Sequence, residues 1–302
     1  MNVNVINSHY ILNGAVREIT KIDGYPHVMI AKMENGSVIA KELCFLEEKL
    51  DFLEKLYAKL EAVTEANIPL LNSEGRYISR SGEAGVLLFE ELEVPETYPS
   101  AKWWAGILAK LHLLDLPGCK KKILIADYLD EVTSLLSGAK QYMAPDIKNI
   151  LGQMLDEVSW DRKIETQMIV NHGDPLNSNV MLKQDEFRVI DFENACVAPK
   201  EYDIQRRLWD FAIECDDPDE MMAYWNEFKC EYEAQSEHLV INRELLCYLY
   251  IIDFCKTMCW LYLVSTDEKR VDYKRQKKEC DHFEDALRKG NIQRMLRCIN
   301  EK

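Results

Sequence analysis

The segment HGDPLNSNVMLKQDEFRVIDFE, His172 to Glu193, holds three side chains with hard oxygen donors, Asp174, Asn179 and Asp191, around two short apolar strands joined by a polar turn from Lys183 to Phe187. A hairpin of that form returns Asp191 toward the loop that carries Asp174. Magnesium takes oxygen ligands, usually one or two carboxylates together with substrate phosphates, so Asn179 and Asp191 are suited to hold it. Asp174, nearest the turn, is left to accept the proton of an attacking hydroxyl. A lone His-Gly-Asp is commonly a surface turn; the three groups together carry the chemical reading.

His172-Gly173-Asp174, Asn179, Ile190-Asp191-Phe192-Glu193 and Tyr202-Asp203-Ile204 occur in an order and spacing that resembles the aminoglycoside phosphotransferase and choline kinase-like superfamily, relatives of the protein kinases. Protein kinases carry His-Arg-Asp, Asn and Asp-Phe-Gly in the same order and roles. Gly173 stands in place of that Arg and Glu193 in place of that Gly, both in the manner of the small-molecule branch. The resemblance implies an ATP-dependent, magnesium-requiring transfer of the γ-phosphoryl group to a hydroxyl of a small molecule, with Asp174 as base and Asn179 and Asp191 on the metal. It implies further that Asp203 buttresses the catalytic loop, although its place at a helix start also suits an N-cap.

Other positions follow from the same resemblance. Lys41 closes the strand VIAK, where a lysine reaches the α and β phosphates of a nucleotide. Its partner is sought on the next helix among Glu47, Glu48 and Glu54, with Glu48 the choice. Gly24, in Asp23-Gly24-Tyr25-Pro26, marks the phosphate-covering loop, and Glu90 and Leu92 stand where a kinase hinge offers backbone groups to adenine. His112 reads as a satisfied core residue rather than a catalyst.

The elements that must position these groups are legible in part. VREITKI, HVMIAKM and SVIAKEL, punctuated by Asp23-Gly24 and Glu34-Asn35-Gly36, predict antiparallel strands, Asn-Gly being a strong hairpin signal because both central residues tolerate positive φ. Leu46, Leu50, Leu53, Leu56 and Leu60 recur at helical spacing, and RYISR with GVLLFEEL predicts a further strand pair. Beyond Pro95 the pattern turns helical in WWAGILAKLHLL, YLDEVTSLL and IKNILGQMLDEV. Strands return as a short pair around MIVNHGD and VMLKQDEFRVIDFE, and helices resume near Asp203. The fold class is α+β: a two-lobed, protein-kinase-like fold with a small antiparallel-sheet lobe, residues 1–93, that binds nucleotide, and a larger helical lobe, residues 94–302, with the catalytic loop and acceptor site.

Composition bounds the partners. The 302 residues hold 37 Lys+Arg against 52 Asp+Glu, a formal charge of -15 that disfavours nucleic acid and anionic membrane surfaces and draws in cations. The run Asp210, Glu214, Asp216, Asp217, Asp219 and Glu220, near Trp209, Trp225, Trp260 and Tyr262 in sequence, suits an amine or quaternary ammonium, or else a solvated helix end with core aromatics. Lys269 to Lys278 reads as a solvated basic face. Ten cysteines without a Cys-x-x-Cys pair argue against a zinc site, and an opening MNVNVINSHY without a leader pattern implies a reducing, cytoplasmic setting. Leu245 to Val264 is long enough to span a membrane, but Asp253 and Lys256 near its middle each cost roughly 2.5 to 3.5 kcal/mol there, so a buried amphipathic helix is expected. Candidate acceptors include an aminoglycoside, choline, ethanolamine, homoserine or a sugar. A non-catalytic structural protein of the same fold, of the spore coat kind, is the competing class.

Overall fold

Alternating apolar residues build the first sheet. β1 (Glu18–Ile22), β2 (Tyr25–Met33), β3 (Gly36–Leu43), β4 (Ser79–Ser81) and β5 (Ala84–Glu90) pair antiparallel in the order β1-β2-β3-β5-β4. The computed structural model describes residues 3–81, 84–116, 132, 134–156, 167–270 and 272–301. The chain forms two compact units, residues 1–98 with 179–193, and residues 99–178 with 194–302.

In the first unit, Ala40 of β3 lies opposite Leu88 of β5, and both belong to a cluster with Val38, Val86, Ala31 and Ile6, the last from α1 (Val3–His9). The side-chain period of two sets Lys41 on the other face with Leu87 and Phe89. α2 (Glu47–Leu60) buries Leu50, Leu53, Leu56, Tyr57 and Leu60 at helical spacing, and the Tyr57 ring meets the edge of Phe89 on the Lys41 face. The expected hairpins form, with one shift of frame. Met33 pairs with Gly36, so the central turn residues are Glu34 and Asn35 rather than Asn35 and Gly36, and the positive φ falls on Gly36 alone (133°).

β7 (Val180–Lys183) and β8 (Glu186–Val189) form a separate two-stranded hairpin whose turn is Gln184-Asp185, both left-handed at φ 52° and 63°. This hairpin belongs to the first unit, a difference from the contiguous division at 93/94 read from sequence. The reason is backbone bonding: Glu93 and Leu182 exchange two N–H to O bonds of 3.0 and 2.8 Å, and the Val189 amide donates to Glu65 at 2.7 Å. Hydrophobic pattern alone carries no trace of such long-range bonds.

The second unit is helical, with α3 (Ala101–His112), α4 (Pro145–Asp156), α5 (Glu201–Glu214), α6 (Pro218–Ala234), α7 (Arg243–Val264), α8 (Tyr273–Lys289) and α9 (Asn291–Asn300). YLDEVTSLL lies largely outside the described residues. β6 (Met168–Asn171) pairs with β9 (Cys196–Pro199), not with the hairpin, and β9 is the strand that periodicity missed, being four residues with a terminal proline. α7 is the one helix among the described residues that is long and apolar enough to cross a membrane by length and composition. It is not amphipathic. α4, α5, α8 and α9 pack around it, and Leu245, Leu249, Ile252, Phe254, Cys255 and Met258 are buried on several faces.

The Gln184-Asp185 turn yields a stability test. A left-handed non-glycine residue costs roughly 1–2 kcal/mol, whereas glycine loses about 0.4–1 kcal/mol through unfolded-state entropy. Asp185→Gly should therefore gain a few tenths to about 1 kcal/mol, and Gly36→Ala, at a φ that alanine resists, should lose about 1 kcal/mol or more. Urea denaturation midpoints of the two variants check the opposite signs.

Candidate active site

In the first unit, the hairpin sets two of the expected ligands side by side. Val180 pairs with Val189, and the Ile190 amide donates to the Asn179 carbonyl at 2.9 Å, so Asp191 follows directly beside Asn179. Asp191 itself is left-handed, φ 67°, an uncommon backbone for a residue with a side chain and one that clusters at functional sites. Lys41 Nζ reaches across to Asp191 Oδ1 at 3.1 Å and to Glu193 Oε1 at 3.0 Å. Both contacts are ion pairs by distance, and neither oxygen of the buried Glu193 carboxylate has a hydrogen-bond partner among the described residues.

The remaining first-unit positions sort plainly. Glu48 is exposed in the first turn of α2, and Lys41 pairs elsewhere, so the expected Lys41–Glu48 pair does not form. The cause is the phase of α2: its buried stripe from Leu50 to Leu60 turns Tyr57 inward and leaves Glu48 in solvent. Glu54, the other inner candidate, accepts from the Tyr77 and Ile78 amides, both at 2.9 Å, and so holds the chain entering β4. Gly24 occupies the β1–β2 turn at φ 77°. Glu90 ends β5 with its carboxylate paired to Lys183, and Leu92 lies half-buried just beyond.

In the second unit, α5 grips the loop after β6 at three levels. Asp203, fully buried, accepts from the His172 amide at 2.7 Å and the Gly173 amide at 2.8 Å, and His112 Nε2 lies 3.2 Å from the same carboxylate. It is not the N-cap: that position is Lys200, which makes no side-chain capping bond. One helical turn on, Arg206 donates to the Gly173 carbonyl at 2.7 Å and to Asp174 Oδ1 at 2.8 Å, while Asp253 of α7 accepts from Arg206 Nε at 3.0 Å. Burial opposes the Arg206 charge, but Asp253, Tyr202 and Asp174 outweigh it and hold the guanidinium above its ordinary range. A further turn on, Asp210 accepts from the Asn177 amide at 3.1 Å, and Arg207 donates to Asn177 Oδ1 at 2.9 Å.

Gly173 explains its own identity. Its φ is 84°, and a Cβ there would fall 2.2 Å from the Asn194 carbonyl oxygen, so any side chain would displace backbone. His112 is a satisfied core residue: its Nε2 meets the Asp203 carboxylate and its Nδ1 the Tyr232 hydroxyl.

The acidic and aromatic run after Asp203 does not form a cage for an amine. Trp209, Trp225 and Tyr262 are core residues, Asp217 caps α6, and Asp216 pairs with Lys289 and Asn291. Trp260 is exposed. Glu279 of α8 instead lies within electrostatic reach of both Asp174 and Asp210. Burial raises the Glu279 carboxyl, with Arg275 opposing and Asp174 and Asp210 adding to the rise. The basic stretch around Lys274 to Lys278 faces solvent apart from Gln276.

Sequence reading missed Arg206, the buried pairing of Asp253, Glu279 and the pairing of Glu193, whereas Asp210 stood in the acidic run read for an amine. A signal existed for Arg206, since three residues after Asp203 on one helix place it on the same face. Asp253, an ionisable group inside an apolar run, was itself a pointer to a buried partner.

A model of the phosphotransferase enzyme family matches residues 73–233 of the chain. Among solved structures, spectinomycin phosphotransferase in complex with ADP and spectinomycin aligns with a TM-score of 0.65 at 13% identity, over 98% of this chain and 97% of that one. A choline kinase from Streptococcus pneumoniae aligns at 0.58 and 16% identity, over 90% and 94% of the two chains. The microcompartment-associated aminopropanol kinase aligns at 0.58 and 14%, over 96% and 97%. No curated protein matches the sequence. With the family model spanning just over half of the chain and those structures sharing its kinase-like fold, the protein belongs to the phosphotransferase enzyme family.

Proposed function

We propose that the protein transfers the γ-phosphoryl group of ATP to a hydroxyl of a cationic small molecule. The observation that carries this reading is the loop at Asp174, whose carboxylate is held at 2.8 Å by Arg206 while Asp203 fixes the two preceding amides. Such triple fixation suits a base that must meet an acceptor hydroxyl in one orientation, because positioning supplies much of the rate in phosphoryl transfer. Asp174 accepts the hydroxyl proton as the oxygen attacks phosphorus and ADP leaves, and Arg206 keeps that carboxylate directed.

In the first unit, Lys41 takes the nucleotide phosphates, Gly24 lies in the loop that covers them, and the backbone at Glu90 and Leu92 meets the adenine. Among the described residues Leu92 makes no backbone hydrogen bond, which supports that use. The donor set of an amide oxygen at Asn179 and a carboxylate at Asp191, adjacent across the hairpin, fits magnesium. Asn179 and Asp191 would hold such an ion, which would supply neutralisation of phosphate charge.

The cationic acceptor is supported by Glu279, within electrostatic reach of Asp174 and Asp210, and by the amino or ammonium alcohols named in the similar structures. An aminoglycoside, choline and ethanolamine share that chemistry.

Replacing Asp174 with Asn should lower kcat by about 100- to 10,000-fold while ADP binding changes little. ADP release with a panel of amino alcohols and aminoglycosides checks it, and undiminished turnover would remove Asp174 from the base role. Glu279 gives a pH test. Its folded-state carboxyl is raised, so the folded chain holds more protons than the unfolded one, and stability falls as pH rises through that interval. Glu279→Gln should therefore raise Tm near pH 7, have little effect near pH 4, and weaken binding of the cationic acceptor. Melting curves at both pH values and acceptor titrations read the two effects separately.

A further inference from the structure

The Glu193 carboxylate is the more buried of the two beside Lys41, with its side chain 10% exposed against 37% for Asp191. An isolated buried carboxylate costs several kcal/mol, so Glu193 demands a permanent cation, whereas Asp191 can turn to solvent or to a metal ion. Lys41 is the cation at hand, its own side chain 14% exposed. α2 offers no competing carboxylate there. The residue it turns toward this cluster is Tyr57, fully buried, its ring 6.3 Å from that of Phe192 and its hydroxyl without a hydrogen-bond partner among the described residues. Burial first, and the Asp191 charge second, hold that phenol protonated well above its ordinary range, so Tyr57 cannot stand in for an anion.

The left-handed turn at Asp191 makes the arrangement possible. It lets Asp191 and Glu193, two residues apart, both reach Lys41 while Phe192 between them is buried against Tyr57.

We propose that Glu193 is the positioning residue that anchors Lys41 for nucleotide phosphates, in place of a carboxylate from α2. The proposal rests on the phosphotransferase reading, in which Lys41 binds those phosphates. Glu193 would keep Lys41 in place were Asp191 to serve a metal ion, so lysine anchor and metal ligand would come from one turn of chain. Loss of Glu193 should disorder the lysine whether or not metal is present.

The test is ADP binding by isothermal titration calorimetry, in EDTA and separately in magnesium, on wild type, Lys41→Met, Glu193→Gln, the double variant and Glu48→Gln. Glu193→Gln should weaken ADP about tenfold in both media, the double variant should bind no more weakly than Lys41→Met, and Glu48→Gln should match wild type. A Glu193→Gln defect confined to magnesium would overturn the proposal by making Glu193 a metal ligand, as would additive losses in the double variant. Should Glu193→Gln fail to fold by circular dichroism, Glu193→Asp, which keeps the charge, takes its place; it should raise KM for ATP with kcat little changed, and an unchanged KM would overturn the proposal. Wild type that binds no ADP would overturn the phosphotransferase reading itself and this proposal with it. Wild-type binding with unaltered Glu193→Gln overturns this proposal alone.

Discussion

A single buried carboxylate organises the catalytic half of the second unit. Asp203 has no exposed surface, and it is satisfied by the two amides that precede Asp174 and by His112. Hydrogen bonds to a charged group contribute about 1.5–3 kcal/mol each, and a buried charge left unpaired costs more, so the loop and the helix hold one another in register. Everything downstream on α5 inherits that register. Arg206 meets Asp174 because it lies one turn beyond Asp203, and Asp210 meets the Asn177 amide because it lies two turns beyond.

The two units solve related electrostatic problems differently. In the second, the anion at Asp174 is kept by a guanidinium that Asp253 holds from behind, so its geometry is fixed before any substrate arrives. In the first, an ammonium lies between two carboxylates, one buried and one partly exposed, and this leaves one of them available for exchange. The distinction matches the properties of the groups: a planar guanidinium orients its partners through several donors, whereas an ammonium acts as a compact charge that trades partners readily.

Much of this was legible in the chain itself. Period-two alternation placed Lys41 on its strand, and the polar break at Lys183 to Phe187 placed the hairpin that joins Asn179 and Asp191. The pairing of Lys41 was not legible, because which glutamate of α2 turns inward depends on the phase of a leucine stripe against the sheet, and the answer was a tyrosine. β9 escaped because four residues are too few to show a period. Trp209 and Trp225 were core because the helices that carry them are packed on several sides, a tertiary fact that local composition does not encode.

Amide hydrogen exchange at His172 and Gly173 tests the central role of Asp203 most directly. Both are loop amides, yet with the carboxylate buried above them they should exchange as slowly as amides within α5, and Asp203→Ala should release them by about two orders of magnitude or more, as expected for removal of a charged acceptor. Fast exchange at both positions in the unaltered protein, or slow exchange that survives Asp203→Ala, would contradict the claim that this carboxylate holds the loop.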